Sequence, residues 1–307
     1  MAIASDKVVI VGTGNVGATA AYAMMLRGLF TDIVLIDASS GRAAAEAIDI
    51  ADANALARPA RIRGGEYSEV RDARVVVLTA GAATHGDETR LSVAGRSAEI
   101  VRGCARQIME AGFDGILVVA SNPVDLMAQV AQETCGLPAQ RVIGTGTLLD
   151  SARFRQRLAQ QLDVAPAAVE ATVLGEHGDS EVAAFSTVRI GGVALEDFAT
   201  VDREGIADAV MRAGYTIIQG KGYTSFGVAT AIVRICEAIR RDERVVLPVS
   251  TRTAGEYGIS DLYLSLPCLI GAAGVIRTLS PQLSAKEEEA LRRSASALSS
   301  AMAALRG

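Results

Sequence analysis

The chain has 307 residues, half of them hydrophobic, and a formal net charge of −5. This much apolar material can form a large core, in one α/β unit or in two lobes of one compact protein. Acidic and basic residues are spread along the chain without a basic stripe, which argues against a nucleic-acid-binding protein.

In the first half of the chain, short β-branched runs alternate with helix-forming stretches. Several runs are almost entirely apolar, as expected of strands buried on both faces of a parallel sheet: residues 8–11, 33–36, 75–79 and 116–120. Residues 16–27 and 41–57 lie between them and carry helix formers. This alternation predicts right-handed crossovers and a doubly wound parallel sheet that ends near Gly144.

After Gly144 the pattern becomes typical of an α+β unit. The predicted helices are residues 150–162, 204–218 and 223–240. The predicted strands are residues 171–174, 182–190, 245–250 and 261–267. The last two strands are expected to be antiparallel. Ser284 and Glu287 have the spacing of a capping box, and apolar residues then recur every three or four positions, which predicts a terminal helix.

The cysteines and the N-terminal segment indicate the cellular compartment in which the protein is expected. Cys104, Cys135, Cys236 and Cys268 show no CxxC spacing, and the chain has only two histidines, so a zinc site is not expected. The N-terminal segment lacks a basic region followed by an apolar core, and its apolar run is too short to span a membrane. We therefore expect a cytoplasmic protein with buried, reduced thiols, no metal and no membrane or nucleic-acid partner.

A glycine-rich turn follows the first predicted strand. Gly12, Gly14 and Gly17 have the GxGxxG spacing, in which the glycines permit a tight turn, close approach of a pyrophosphate and close packing of helix on strand. Asn15 and Val16 open the helix that follows, whose N-terminus supplies N–H donors for phosphate. A purely structural turn is the alternative, but the strand and the helix on either side favour a dinucleotide site.

Asp37 ends the second predicted strand, twenty residues after Gly17. A carboxylate at this point accepts hydrogen bonds from the ribose hydroxyls and repels a 2′-phosphate, so NAD is favoured over NADP. The alternative is an ordinary acidic residue that caps the end of the strand. Thr79, Ala80 and Gly81 follow the third strand, at the same carboxyl edge of the sheet, and are expected to border the cofactor.

Only His85 and His177 are available as histidine acid–base groups. Histidine suits the exchange of a hydroxyl proton near neutral pH. His85 lies in a polar loop, whereas His177 is flanked by glycines and lies close to predicted strands, which is typical of tight backbone geometry near a ligand. On its own, His177 is equally consistent with a structural histidine.

Asp150 and Arg153 supply charge near the start of one predicted helix. A carboxylate such as Asp150 can fix the tautomer of a histidine base and stabilise its imidazolium. Arg153 lies three residues later, hence on the same helix face, where it can bind a substrate carboxylate through two hydrogen bonds. A simple intrahelical ion pair between the two is the alternative.

Two further candidates follow parallel strands. Arg90 lies in the loop after the third strand and could close over a substrate and polarise its carbonyl group; a solvated surface arginine is the alternative. Asn122 follows the fourth strand and could bind substrate or the nicotinamide ribose, although an Asn-Pro turn explains it equally well.

Together these residues resemble the lactate/malate dehydrogenase family, over essentially the whole chain. The resemblance is carried by a series of motifs in the family's order: residues 12–17, Asp37, residues 79–81, 88–90, 121–125, 144–153, 175–179 and 255–260. It implies a Rossmann NAD-binding domain over residues 1–144 and a C-terminal α+β substrate domain over residues 145–307. It also implies oxidation and reduction of L-2-hydroxy acids such as lactate, and a homodimer or homotetramer.

The resemblance further implies roles for individual residues. His177 is the acid–base group, Asp150 orients it, and Arg153 binds the substrate carboxylate. Arg90 stabilises charge on the reacting oxygen. Two more residues, Asn122 and Thr224, line the site.

Substrate choice is the open question. In this family one loop position discriminates between substrates, with Gln in lactate enzymes and Arg in malate enzymes, and here it holds Thr84. Thr84 cannot pair with a second carboxylate and leaves room for a larger side chain, although His85 next to it could partly substitute. The segment around Tyr223 and Thr224 is similar to that of L-2-hydroxyisocaproate dehydrogenases. The alternatives to a lactate-type enzyme are therefore an enzyme for bulkier 2-oxo acids, a malate dehydrogenase, and a non-catalytic NAD-binding protein.

Overall fold

A computed structural model describes residues 6–82 and 90–306, with the backbone alone for residues 90–92. In its first half, strands and helices alternate as predicted. The strands are β1 (Lys7–Val11), β2 (Asp32–Ile36), β3 (Arg61–Gly64), β4 (Val75–Leu78), β5 (Ile116–Val119) and β6 (Val142–Gly144). The helices are α1 (Asn15–Arg27), α2 (Ser40–Asn54), α3 (Arg90–Glu110) and α4 (Val124–Cys135).

These strands form a parallel sheet in the order β3-β2-β1-β4-β5-β6, which confirms the doubly wound arrangement. β1, β4 and β5 are buried along their whole length, as their apolar runs predict. The sequence patterns missed β3 and β6. β3 is a partly exposed edge strand that begins with Arg61, and β6 has only three residues, so neither carries a long apolar run.

The second half contains more helices and shorter strands. Its helices are α5 (Leu148–Leu162), α6 (Leu195–Phe198), α7 (Arg203–Met211), α8 (Ala213–Lys221), α9 (Phe226–Arg241) and α10 (Ala285–Arg306). Its strands are β7 (Val169–Glu170), β8 (Val173–Leu174), β9 (Val182–Ala183), β10 (Arg189–Ile190), β11 (Val193–Ala194), β12 (Val245–Ala254), β13 (Ser260–Gly271) and β14 (Gly274–Thr278).

The two halves share one sheet. β12, β13 and β14 are antiparallel, as predicted for the first two, but they extend the parallel sheet instead of forming a separate one. The junction is narrow: Ser250 of β12 pairs with Gly144 of β6. Within the described residues this gives a nine-stranded sheet, so the carboxyl ends of the parallel strands meet the C-terminal half directly.

Four local predictions need correction, and one is confirmed. Residues 171–174 are strand only at 173–174 (β8), and residues 182–190 are not one strand, because the 3₁₀ turn Phe185–Thr187 separates β9 from β10. Residues 204–218 form two helices that part at Arg212, and residues 223–225 precede α9 instead of belonging to it. The capping box is confirmed: Ser284 N–H donates to Glu287 (3.0 Å), and Glu287 N–H donates to Ser284 Oγ (3.4 Å).

The core lies on both faces of the sheet, because alternate residues of each strand point in opposite directions. Val9 and Val11 of β1 belong to the cluster with α3, α4 and α10, whereas Val8 and Ile10 belong to the cluster with α1 and α9. A further cluster lies under α5 and α7 around Phe154. In the described part of the chain, no helix is both long enough and apolar enough to cross a membrane.

The contact between α1 and β1 gives a first test. A Cβ atom at Gly17 would lie 1.9 Å from the carbonyl oxygen of Gly12, whereas one at Gly14 would have no neighbour within 4 Å. We expect Gly17→Ala to lower the free energy of unfolding by about 1–3 kcal/mol, because the helix must move off the strand. Thermal unfolding measures this, with Gly14→Ala as the matched control. Equal melting temperatures for the two variants would contradict the close packing.

Candidate active site

The glycine-rich turn lies at the edge of the sheet formed by the carboxyl ends of the parallel strands. Gly12 has φ of +100°, and a Cβ atom there would lie 2.6 Å from the backbone nitrogen of Ala80, so the turn requires glycine. Gly14 faces open space and precedes Asn15, the first residue of α1. No side chain in the described part of the protein caps the N-terminus of α1. Its free N–H groups are therefore available to an anion such as a pyrophosphate.

Asp37 lies beside this turn. Its Oδ2 accepts hydrogen bonds from the backbone N–H (2.8 Å) and the hydroxyl group (3.0 Å) of Thr13, and its Oδ1 accepts one from Ser39 N–H (3.0 Å). Burial favours the neutral acid, but these hydrogen bonds outweigh it and lower the pKa of Asp37. The carboxylate is fixed and charged next to the helix N-terminus, which fits an adenosine ribose without a 2′-phosphate.

The ends of β4 and β5 complete this edge. Thr79 donates a hydrogen bond from its hydroxyl group to the carbonyl oxygen of Gly12 (2.7 Å), and Ser121 donates one to Ala80 (2.5 Å). Gly81 and Asn122 are exposed beyond them. The structure therefore brings Thr79, Ala80 and Gly81 to the glycine turn and places Asn122 on the neighbouring strand end. These residues and Asp37 fit an NAD site.

His177 and Asp150 form the central contact of the candidate acid–base site. Nδ1 of His177 lies 2.5 Å from Oδ2 of Asp150, and Oδ1 of Asp150 accepts a hydrogen bond from Nη1 of Arg153 (2.9 Å). The Asp150 side chain is 2% exposed, against 26% for His177 and 17% for Arg153. Asp150 therefore bridges two cationic groups that still reach solvent. The contact expected between Asp150 and His177 is present, and so is the alternative ion pair between Asp150 and Arg153 within the helix.

The backbone of His177 is held by groups from distant parts of the chain. His177 N–H donates to Oδ2 of Asp125 (2.7 Å) on α4, and Ser265 of β13 donates its hydroxyl proton to Oδ1 of Asp125 (3.2 Å). Gly175 pairs with Ser265 through backbone hydrogen bonds, and Glu176 N–H donates to Ser294 Oγ of α10. Sequence reasoning did not single out Asp125, although it belongs to the motif that contains Asn122.

This arrangement changes the charge of His177. Burial disfavours the imidazolium, but the carboxylate of Asp150, with smaller contributions from Asp125 and Glu181, raises the pKa of His177 to about 9. Burial likewise works against the Asp150 carboxylate, yet His177 and Arg153 lower the pKa of Asp150. Near neutral pH the pair is therefore an imidazolium bound to a carboxylate, and its free ring nitrogen can donate a proton.

Glu181 was also missed, although it follows His177 by only four residues. Its carboxyl group, a ring nitrogen of His177 and a carboxylate oxygen of Asp150 lie within 4.8 Å of one another. Such a group could hold a metal ion. However, Asp150 already uses both oxygens for His177 and Arg153, so we interpret the cluster as part of the proton chemistry.

Tyr223 and Thr224 lie in the turn between α8 and α9. The Nζ atom of Lys221 lies 4.3 Å from the ring centroid of Tyr223 and 4.0 Å from that of Phe226, and donates a hydrogen bond to Ser225 Oγ (3.1 Å). These contacts fix the turn. A Cβ atom at Gly227 would lie 2.9 Å from the side chain of Leu149. The start of α9, which directly follows the turn, therefore packs next to the start of α5, which carries Asp150.

Two of the predicted residues cannot be placed. Thr84 and the neighbouring His85 lie outside the described residues. The backbone of Arg90 begins α3, but its side chain is also outside the described part of the structure. The roles inferred for Thr84 and Arg90 therefore stay predictions.

Comparisons with known proteins agree with this geometry. Residues 6–144 match the lactate/malate dehydrogenase NAD binding domain, and residues 147–305 match the lactate/malate dehydrogenase alpha/beta C-terminal domain. The L-lactate dehydrogenase of Thermus aquaticus is 45% identical, with 97% of this chain and 99% of that protein covered. The L-lactate dehydrogenase of Limosilactobacillus reuteri is 43% identical, with 95% and 93% covered.

Solved structures give the same result. The ligand-bound minor L-lactate dehydrogenase of Enterococcus mundtii superposes with a TM-score of 0.95 at 40% identity, covering 98% of each chain. A lactate dehydrogenase from a Medee basin deep-sea metagenome library superposes with a TM-score of 0.96 at 38% identity, covering 99% of this chain and 100% of that one. The resemblance noted in the sequence is confirmed, and the chain belongs to the lactate/malate dehydrogenase family.

Proposed function

We propose that this protein is an NAD-dependent dehydrogenase that interconverts an L-2-hydroxy acid of the lactate type and its 2-oxo acid. The observation that carries the proposal is the chain of contacts from Arg153 through Asp150 to His177, at the carboxyl edge of the sheet that also bears the glycine turn and Asp37. The relatives from Thermus aquaticus and Limosilactobacillus reuteri, which are named L-lactate dehydrogenases, support the same activity.

Binding of the two ligands follows from the charges. The free N–H groups of α1 and the open face of Gly14 receive the pyrophosphate of NAD, and Asp37 binds its adenosine ribose. Arg153, which is 17% exposed, uses its remaining N–H groups to bind the substrate carboxylate. Bound NAD supplies the acceptor for the hydride that leaves the substrate, and in the reverse direction the reduced form supplies the hydride.

The proton moves at His177. Asp150 holds Nδ1, so Nε2 is left to face the substrate oxygen. During oxidation, neutral His177 accepts the hydroxyl proton at Nε2; during reduction, the imidazolium returns it. Since the pKa of His177 is raised to about 9, the proton-donating form dominates at neutral pH. Reduction of the 2-oxo acid should therefore slow as the pH rises through this value, while oxidation should speed up.

Other residues refine the site. We assign Arg90 to stabilisation of charge on the reacting oxygen and Asn122 to a hydrogen bond with substrate or ribose. Thr84, Tyr223 and Thr224 are assigned to the wall that faces the substrate side chain. The turn directly precedes the start of α9, where Gly227 packs against Leu149 of α5, and this supports the assignment of Tyr223 and Thr224.

The central test replaces His177 with asparagine. We expect kcat to fall roughly 10²–10⁴-fold, because asparagine cannot exchange the proton. NADH binding, measured by calorimetry, should be unchanged, because the glycine turn and Asp37 that we assign to the cofactor are left intact. Gly14→Ala is the converse control. Its added Cβ enters the space assigned to the pyrophosphate, so this variant should bind NADH more weakly. Unchanged turnover in the His177 variant would rule out the mechanism. If the wild-type protein binds NADH but shows no turnover, the alternative of a non-catalytic NAD-binding protein is favoured.

Substrate range is tested with a panel of 2-oxo acids. Thr84 offers no cation to a second carboxylate, and a missing ion pair in a closed site strongly disfavours a dicarboxylate. We expect kcat/KM for 2-oxoisocaproate to exceed that for oxaloacetate. A clear preference for oxaloacetate would point to a malate dehydrogenase, and a preference for 2-oxoisocaproate over pyruvate would favour the enzyme for bulkier acids.

We propose a homo-oligomer, either a dimer or a tetramer. The structure describes every residue of α8 and none of them is buried, although Tyr215, Ile217 and Ile218 are large and apolar. An exposed apolar face of this kind is typical of an interface. Ile218→Glu should shift sedimentation toward the monomer, whereas Ile276→Glu on the edge strand β14 should not. Sedimentation as a monomer by the wild-type protein would contradict the proposal.

Domain organisation and compartment complete the proposal. We place the boundary between the NAD-binding and substrate domains at residues 144 and 145, because β6 ends at Gly144 and pairs with the C-terminal half only through Ser250 in the described residues. We also propose a cytoplasmic enzyme. All four cysteines are buried and unpaired, which suits a reducing compartment.

A further inference from the structure

Glu181 is a half-buried carboxyl group beside the acid–base pair that the mechanism above does not use. It directly precedes β9, where its backbone N–H donates to the carbonyl oxygen of Gly178 (3.3 Å). Its carboxyl group lies within 4.8 Å of both a ring nitrogen of His177 and a carboxylate oxygen of Asp150. Among the described residues, no side chain or backbone N–H donates a hydrogen bond to it. The protonation of Glu181 therefore depends on burial and on neighbouring charges, and not on a hydrogen bond.

Burial and the neighbouring charges both act on Glu181. Burial disfavours its carboxylate, and repulsion by the Asp150 carboxylate adds to this, so that the pKa of Glu181 is raised to about 8. The imidazolium of His177 and the guanidinium of Arg153 work in the opposite direction. The other charged groups that act on His177 or Glu181 in the described part of the chain are Asp125 on α4, Asp150 and Arg153 on α5, and Asp179 two residues after His177. Glu176 acts on Asp125.

We propose that Glu181 is a positioning residue for the reaction: as a second carboxylate beside the imidazole, it keeps His177 in its protonated form and so favours reduction of the 2-oxo acid. Asp150 alone holds Nδ1 and fixes the ring. Glu181 adds negative charge within reach of the ring without binding it. This proposal rests on the role of His177 proposed above.

The effect of Glu181 belongs to alkaline pH, because the pKa values of both Glu181 and His177 are raised above neutrality. Glu181 therefore ionises in the range in which the imidazolium begins to lose its proton. Its negative charge, 4.8 Å or less from the ring nitrogen, then stabilises that imidazolium. Below this range Glu181 is neutral and adds no negative charge that would oppose the carboxylate of an entering substrate. The proton donor is thus retained at higher pH without an additional charge in the site near neutrality.

The test is a pair of pH profiles for Glu181→Gln, which keeps the shape of the side chain and removes its charge. The profiles are kcat/KM for pyruvate reduction with NADH and for lactate oxidation with NAD, in buffers of constant ionic strength. We expect the alkaline limb of reduction and the rising limb of oxidation to move together to lower pH by roughly half to one pH unit. Activity near pH 6.5 should stay within about threefold of wild type, because Glu181 is then neutral.

A second variant and a control separate charge from structure. Glu181→Ser also lacks the charge and should shift both limbs in the same direction. Glu204→Gln, at an exposed position in the first turn of α7, changes the net charge equally and should leave both limbs unshifted. If the loss of activity in Glu181→Gln is equal at every pH, or if the limbs stay in place, Glu181 has no such role.

The remaining outcomes are also decisive. A shift of the reduction limb to higher pH would mean that Glu181 acts by repelling the substrate carboxylate, which would overturn the proposal. The wild-type profiles test the underlying mechanism separately, since His177 requires an alkaline limb for reduction and a rising limb for oxidation. If wild type lacks these limbs, the role of His177 fails; if they are present and only the Glu181 variants fail to shift, the role of Glu181 fails alone.

Discussion

The hydrogen bond between Nδ1 of His177 and the buried carboxylate of Asp150 is the interaction on which the rest of the site depends. At 2.5 Å, with Asp150 only 2% exposed, it fixes the orientation of the ring and provides the charge that keeps the imidazolium stable. A buried carboxylate is costly unless it is paired. Asp150 meets this requirement with His177 on one oxygen and Arg153 on the other, so the two residues proposed to exchange the proton and to bind the substrate carboxylate depend on one anion.

The fold supplies what this interaction needs. Asp150 lies on α5, directly after the last parallel strand, whereas His177 lies on an irregular segment that only tertiary contacts hold in place. Asp125 and Ser265 provide those contacts from α4 and β13. Since β13 belongs to the same sheet as the glycine turn, the sheet joins the cofactor edge to the acid–base pair. A continuous sheet across the two halves thus connects the glycine turn with the segment that carries His177.

The sequence predicted features that have a local signal. Buried parallel strands appear as apolar runs, GxGxxG appears as spacing, and the Ser284–Glu287 capping box depends on neighbouring residues alone. Features set by tertiary contacts were not predicted. Nothing local indicates that β12 would pair with β6 and extend the sheet, or that Asp125 would bind the backbone of His177. Glu181 was missed because the cluster that it forms with His177 includes Asp150, which lies 31 residues earlier in the chain.

The chemistry was predicted better than the substrate. Scarcity of histidine left His177 and His85 as the only candidates, and family resemblance separated them. By contrast, the substrate wall that we propose combines Tyr223 with Thr84, and Thr84 lies outside the described residues. The contact of Lys221 with Tyr223 and Phe226 holds the described part of this proposed wall in place.

The most direct test of the account is an NMR titration of the His177 imidazole in wild type and in Asp150→Asn, which is practical because the chain has only two histidines. The account predicts a pKa of about 9 for His177 in wild type, against an ordinary value of 6.5. In the Asp150 variant the pKa should fall well below the wild-type value, because the largest opposing charge is removed while burial remains. An ordinary pKa in wild type, or the same raised pKa in both proteins, would contradict the account.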